Sequence, residues 1–155
     1  MTIASNEFSP VLELIGQTLT DIKVRYDLLM LRFGDYELHA SCFTRVLQNH
    51  DILFTTMDYQ SWDEEEEYTH NDMYLNFADW GEKIIGQKVC SVDISPIYDL
   101  VIVLDNDIRI EIFNSEGKRR MTEEGEQWFF YKPEDESYPF LSVYSKHIHR
   151  ENTHQ

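Results

Sequence analysis

Histidine, cysteine and carboxylate groups are the side chains of this 155-residue sequence that could do chemistry, and their spacing decides how far that goes. His147 and His149 stand two apart, which on a strand puts both imidazoles on one face, with His154 nearby. His39 lies three residues before Cys42. A zinc site needs three or four ligands at fixed spacing, and neither grouping has a further soft ligand beside it, so these histidines read as surface or terminal residues and no metal site is expected. A metal-dependent or small-ligand enzyme would require three or more of His39, His50, His70, His147 and His149 to converge on one pocket. Asp105-Asn106-Asp107 begins like a calcium loop but lacks the downstream glycine and glutamate, and between apolar strands it reads as a hairpin turn. The sequence has no glycine-rich phosphate loop, no Gly-x-Ser-x-Gly elbow and no His-Glu-x-x-His, and nothing pairs a nucleophile with a base. No catalytic residue and no cofactor is therefore expected, and the role is read as non-enzymatic.

The carboxylates matter collectively. Thirteen basic against twenty-nine acidic side chains give a formal charge of −16, and residues 58 to 82 hold nine acids and no Lys or Arg. Such a chain repels phosphate backbones and anionic headgroups, which argues against binding nucleic acid or membrane, and it attracts a basic protein. Inside that stretch Trp62 directly precedes Asp63, Glu64, Glu65, Glu66 and Glu67, with Tyr59 and Tyr68 on either side. Aromatic anchors ringed by charge suit a protein interface, so these eight residues form the expected partner-binding site. Trp80 and Trp128 fall in periodic apolar patterns and are expected in the core. Cys42 and Cys90 have no paired spacing and read as buried thiols in a reducing compartment. No apolar run approaches the roughly 20 residues of a membrane helix, and Met1 to Glu7 lacks the pattern of a signal peptide, so a cytoplasmic location is expected.

The elements that position these groups follow from periodicity. Ser9-Pro10 signals a short helix, with Ser9 as its cap and Gly16 as its stop. From Leu19 the period changes to two, through Leu29, Leu31 and Phe33 and then Tyr36, Leu38 and Ala40 after Gly34-Asp35, which predicts an antiparallel meander. Ile52 to Tyr59 reads as a further strand and the acidic run as a loop. Thr69 with Asp72 resembles a capping box, and Met73, Phe77, Trp80 and Ile84 share one helical face, with Gly81 weakening the helix. Strands follow at Val89 to Ile94, Leu100 to Leu104 and Ile108 to Phe113. Both faces of Leu100 to Leu104 are apolar, which predicts a strand covered on both sides. Gln127 to Tyr131 and Phe140 to Tyr144 are the closing strands, and from His149 onward the chain reads as frayed.

Leu14-Ile15-Gly16-Gln17 has a counterpart in Ile84-Ile85-Gly86-Gln87, and with the same offset Leu19, Ile22 and Val24 match Val89, Val92 and Ile94. After two inserted residues Tyr26-Asp27-Leu28 matches Tyr98-Asp99-Leu100, and Asp35 matches Asp107. The expected fold is thus a single α+β domain over residues 1–155. It comprises two antiparallel strand-meander halves related by an internal repeat, at about 9–60 and 70–115, each preceded by a helix, with C-terminal strands at 127–145.

Ile94 to Ile102, Ile108-Arg109-Ile110-Glu111-Ile112-Phe113 and Glu126 to Pro133, followed by Tyr138-Pro139-Phe140, resemble segments of small uncharacterised bacterial proteins. In those a strand ends in Leu-Glu-Ile-Phe and is followed by a Glu-x-Trp-Arg-Phe-Phe strand; Phe129 stands here where the arginine often is. Some such acidic proteins are similar to immunity proteins that neutralise bacterial toxins. The resemblance implies an immunity-type inhibitor of a basic toxin, and it carries over no catalytic residue. The competing expectations are the small-ligand or metal-dependent enzyme, and a self-associating protein whose exposed strands or aromatics form a homodimer.

Overall fold

The computed structural model describes residues 8–25, 28–58, 72–115, 125–144 and 147–151. Among the described residues, runs of alternating or continuous apolar side chains form eleven strands, all paired antiparallel. Strands β1 (Asp21–Arg25), β2 (Leu28–Phe33) and β3 (Tyr36–Ala40) form a meander. The hairpin of β4 (Thr44–Gln48) and β5 (Asp51–Thr55) follows. A second meander comprises β6 (Val89–Ile94), β7 (Leu100–Leu104) and β8 (Ile108–Ile112). The chain closes with β9 (Glu126–Tyr131), β10 (Phe140–Tyr144) and β11 (Ile148–Glu151).

The two sheets exchange strands. One has the order β1-β2-β3-β9-β10-β11 and the other β5-β4-β8-β7-β6. The hairpin that follows the first meander therefore joins the second sheet, and the strands that follow the second meander join the first. Each sheet turns one apolar face into a common core: Leu29, Leu31, Leu38, Trp128, Phe130 and Leu141 from one, Val46, Ile102, Ile110 and Ile112 from the other, all essentially inaccessible.

The residues Gly16 to Leu19 and Gly86 to Val89 join the two halves by reciprocal backbone bonds. Gly16 N donates to Val89 O (2.8 Å) and Gly86 N to Leu19 O (2.8 Å); Leu19 N donates to Gln87 O (2.9 Å) and Val89 N to Gln17 O (2.8 Å). Gly16 and Gly86 have φ of +89° and +95°, a region other residues enter only at a cost.

Several expectations are corrected. The fold is β-rich, so the α+β description holds only roughly. Helix α1 (Ser9–Leu12) is a single turn in which Ser9 is already helical and Phe8 takes the cap position. Helix α2 (Asp72–Ile84) has the expected extent, and Ile84 is buried while Trp80 is half-buried beside the core. Strand β5 ends at Thr55, short of Tyr59. In β7 only Leu100, Ile102 and Leu104 are buried; Val101 and Val103 lie half-exposed on the outer face, because nothing among the described residues covers that side fully. His149 to Glu151 are not frayed, since Ile148 to Glu151 pair with Phe140 to Val143; the residues after Glu151 lie outside the described ones. Asp105-Asn106-Asp107 does form the tight turn, with Asn106 and Asp107 both left-handed (φ +61° and +58°) as a two-residue hairpin requires. No helix among the described residues is long and apolar enough to cross a membrane.

Gly81 has a physical reason to sit inside α2. A Cβ at this buried position would lie 2.9 Å from Ile22 Cγ2 on β1, the strand against which the helix packs. Overpacking then outweighs the better helix propensity of alanine, and Gly81→Ala is expected to destabilise the fold by about 1–2 kcal/mol in chemical denaturation. In an Ile22→Ala background the same substitution should be neutral or stabilising.

Candidate functional site

The sequence-predicted partner-binding residues Tyr59, Trp62, Asp63, Glu64, Glu65, Glu66, Glu67 and Tyr68 lie outside the described residues, as do Thr69 and His70. The structure does show what frames that segment. Asp58, just before it, accepts hydrogen bonds from Thr55 N (3.0 Å) on β5 and from Asn76 Nδ2 (2.9 Å) on α2. One carboxylate thus ties together the strand that leads into the acidic run and the helix that leaves it. The exposed Asp79 and Glu82 extend the negative charge along α2.

A second candidate surface was not anticipated from the sequence. On the outer face of the six-stranded sheet, strand pairing aligns Lys23, Met30, His39, Phe129, Ser142 and His149 in one row. Asp21, Arg32, Glu37 and Tyr131 form the adjacent row. The imidazole of His39 lies 4.5 Å from the Phe129 ring and 5.6 Å from Tyr131; Phe140 lies 5.3 Å from Phe129 and 5.1 Å from Tyr131, centroid to centroid. These are the separations at which rings pack favourably, so the four make one continuous aromatic surface. Phe129, Tyr131 and Phe140 are half-buried and His39 is buried.

Glu37 is the polar centre of this face. Its Oε1 accepts from Arg32 Nη1 (3.1 Å), and its Oε2 accepts from His39 Nε2 (2.8 Å) and Tyr131 OH (2.9 Å). A carboxylate can only accept, so Nε2 of His39 carries the proton. Burial works to raise the Glu37 pKa, but the hydrogen bonds from His39 and Tyr131 and the charges of His39 and Arg32 together prevail and hold it below its ordinary value. Burial, followed by the bond to the anionic Glu37, pushes the Tyr131 hydroxyl up to about 12. The cluster is therefore a preorganised network in which one carboxylate is held by three donors.

The other described histidines, His50, His147 and His149, form no shared cluster with His39. His147 stacks on Tyr144 (4.6 Å) and His149 contacts Glu151 (3.1 Å). His50 sits at the exposed tip of the β4–β5 hairpin. No group of three or more His, Cys, Asp or Glu among the described residues is arranged to hold a metal ion.

The thiols differ from one another. Cys42 is buried, and desolvation pushes its pKa up to about 12. Cys90 is exposed, contrary to expectation, because the strand bulges there: Val89 pairs with Leu104 and Ser91 with Val103, so Cys90 is skipped and turned outward while Val92 and Ile94 face the core; its hydrogen bond to the Asp105 carboxylate (3.2 Å) raises its pKa. Neither environment favours a reactive thiolate.

No protein-family model matches this chain, and no curated protein or solved structure is detectably similar to it. Function must be argued from its own residues.

Three donors converge on Glu37, so Glu37→Gln should cost about 1–3 kcal/mol at pH 7. Because the folded pKa lies below the unfolded value near 4.5, this stabilisation is present above that value and is lost as pH falls through the folded one. Denaturation of wild type and Glu37→Gln across pH 3 to 7 should show curves that converge at the acid end.

Proposed function

We propose that this protein is a non-enzymatic, acidic protein-binding module of the immunity type, which occludes a basic bacterial toxin. The observation that carries the reading is the fate of its charges. The chain has a formal charge of −16, and the described cations are largely committed within the molecule. Lys23 pairs with Asp21, Arg32 with Glu37 and Glu134, and Arg45 and Arg109 with Glu111. Lys132 lies over the Tyr36 and Tyr138 rings. Meanwhile Asp35, Asp51, Asp79, Glu82, Asp107 and Glu136 are exposed. A surface that spends its positive charge internally presents a net negative field, which steers a basic protein toward it and speeds association.

The acidic run at Asp63 to Glu67, with Tyr59, Trp62 and Tyr68, is the segment we assign to first contact. The half-buried rings of Phe129, Tyr131 and Phe140 provide a second, preorganised surface of the kind that anchors interfaces. A toxin nuclease fits this chemistry, since its substrate groove must be basic to bind phosphates. The free state of Cys42 and Cys90 is in keeping with action in a reducing cytoplasm.

We further infer that the two halves descend from one duplicated meander. Support comes from the reciprocal bonds at Gly16 and Gly86, and from the left-handed turns at Gly34 (φ +64°) and Asn106 at matching places in the two meanders.

The test uses the tagged full chain to capture proteins from its source lysate at low and raised salt, followed by association kinetics with the purified captured protein. A basic protein should be retained at low salt and released by salt. Replacing Asp63, Glu64, Glu65, Glu66 and Glu67 by Asn or Gln should leave folding intact and slow association by about tenfold or more. Unchanged association of the neutralised variant, or a captured partner that is itself acidic, would overturn the reading.

A further inference from the structure

Helix α2, the β4–β5 hairpin and the turn between β7 and β8 line an open cleft of ≈ 310 Å³, at the lower end of the size range of about 300–1,000 Å³ typical of small-molecule sites. Its floor is apolar, with Ile84 and Ile108 both buried beneath it. Three carboxamides line its wall: Gln48 from β4, Gln87 just after α2, and Asn106 at the turn. Asn106 Nδ2 donates to Gln87 Oε1 (2.8 Å), and Gln48 Nε2 donates to the Asn106 backbone carbonyl (3.3 Å). These bonds fix the amides relative to one another. They leave Gln87 Nε2 as a donor, and Asn106 Oδ1 and Gln48 Oε1 as acceptors, without a partner among the described residues.

The fourth side of the cavity carries Trp80 and Lys83, the ammonium lying 4.1 Å from the indole centroid. Lys83 makes no ion pair with any described residue, and no carboxylate lines the cavity. In a chain of −16 that is distinctive: three other clefts among the described residues contain Asp93 and Asp99, or Asp21 and Glu37, or Asp107. One positive charge without an ion pair among the described residues, beside an indole and a set of amide donors and acceptors, has a definite complement. It calls for one negative charge, several hydroxyls to exchange hydrogen bonds with the amides, and a C–H face to lie on the apolar floor and the indole. A polyphosphate is disfavoured, because a single lysine cannot offset several charges against the field of the whole protein.

We propose that this cavity binds a monoanionic sugar acid of the hexuronate class, its carboxylate on Lys83 and its hydroxyls on Gln48, Gln87 and Asn106. The site is independent of the protein-binding surface assigned above. Titration of the full chain with D-glucuronate, followed by ligand-observed NMR and by calorimetry, tests it, with D-glucose as the neutral comparison. Wild type should bind D-glucuronate saturably. Loss of a charge-assisted bond should weaken binding about tenfold or more, both for D-glucose on wild type and for D-glucuronate on Lys83→Met. Gln87→Ala should weaken both sugars, and circular dichroism should show the two variants folded. Absence of saturable D-glucuronate binding to wild type would overturn the proposal. So would equal affinity for the two sugars, or D-glucuronate binding unaffected by both substitutions.

Discussion

The constraint on which this structure depends is that a strand buried inside a sheet must satisfy its backbone on both edges. Within its own meander, β3 has only β2 beside it and β8 has only β7. The second edge of β3 is taken by β9 and that of β8 by β4, each supplied by the other half of the chain. Neither meander is complete without the segment that follows the other. Trp128 lies at this exchange. It is fully buried on β9 beside β3, and its indole Nε1 donates to the Tyr98 carbonyl (3.0 Å) in the β6–β7 connection. Phe8 packs against both Trp128 (6.4 Å) and Tyr98 (5.7 Å), so one aromatic contact joins the start of the chain, the second meander and the first sheet.

The edges are managed by the same physics. β1 carries Asp21, Lys23 and Arg25, and β11 carries His149, Arg150 and Glu151, so both outer strands of the six-stranded sheet are charged. Charged edge strands resist pairing with a further chain, which weighs against self-association through that sheet.

Electrostatics sorts the carboxylates into two populations. Glu37 and Glu111 are the ones withdrawn from solvent on the sheet faces, and each is matched with arginine: Glu37 with Arg32, Glu111 with Arg45 and Arg109. A carboxylate can be partly desolvated only when charge-assisted bonds replace its water. Among the other described acids, Asp58 and Asp99 are half-buried and accept hydrogen bonds from backbone or amide N–H groups, whereas Asp35, Asp51, Asp79, Glu82, Asp107 and Glu136 are exposed and contribute to the negative field of the surface. The two binding roles proposed above draw on that division, one on the acidic exterior and the other on a cleft at Lys83 that no carboxylate lines.

Local pattern determined much of the architecture. Period-two alternation marks β2, β3 and β8, apolar or aromatic runs mark β7 and β9, and Asn106-Asp107 marks a hairpin, because side-chain direction and turn dihedrals are properties of a few adjacent residues. The same locality explains the failures. Val101 and Val103 are as apolar as their neighbours yet half-exposed, since what covers a strand is decided by distant chain. Cys90 could not be read as exposed because the bulge that turns it outward is set by the register of β6 on β7. The aromatic face of His39, Phe129, Tyr131 and Phe140, and the amide cavity beside Lys83, assemble residues far apart in sequence. No spacing rule announces them. The sequence by itself determined most of the strands, the β7–β8 turn and the acidic character; only tertiary structure decided that Thr44–Gln48 and Ile148–Glu151 are strands, which strands exchange sheets and which side chains share a surface, because those depend on long-range backbone pairing.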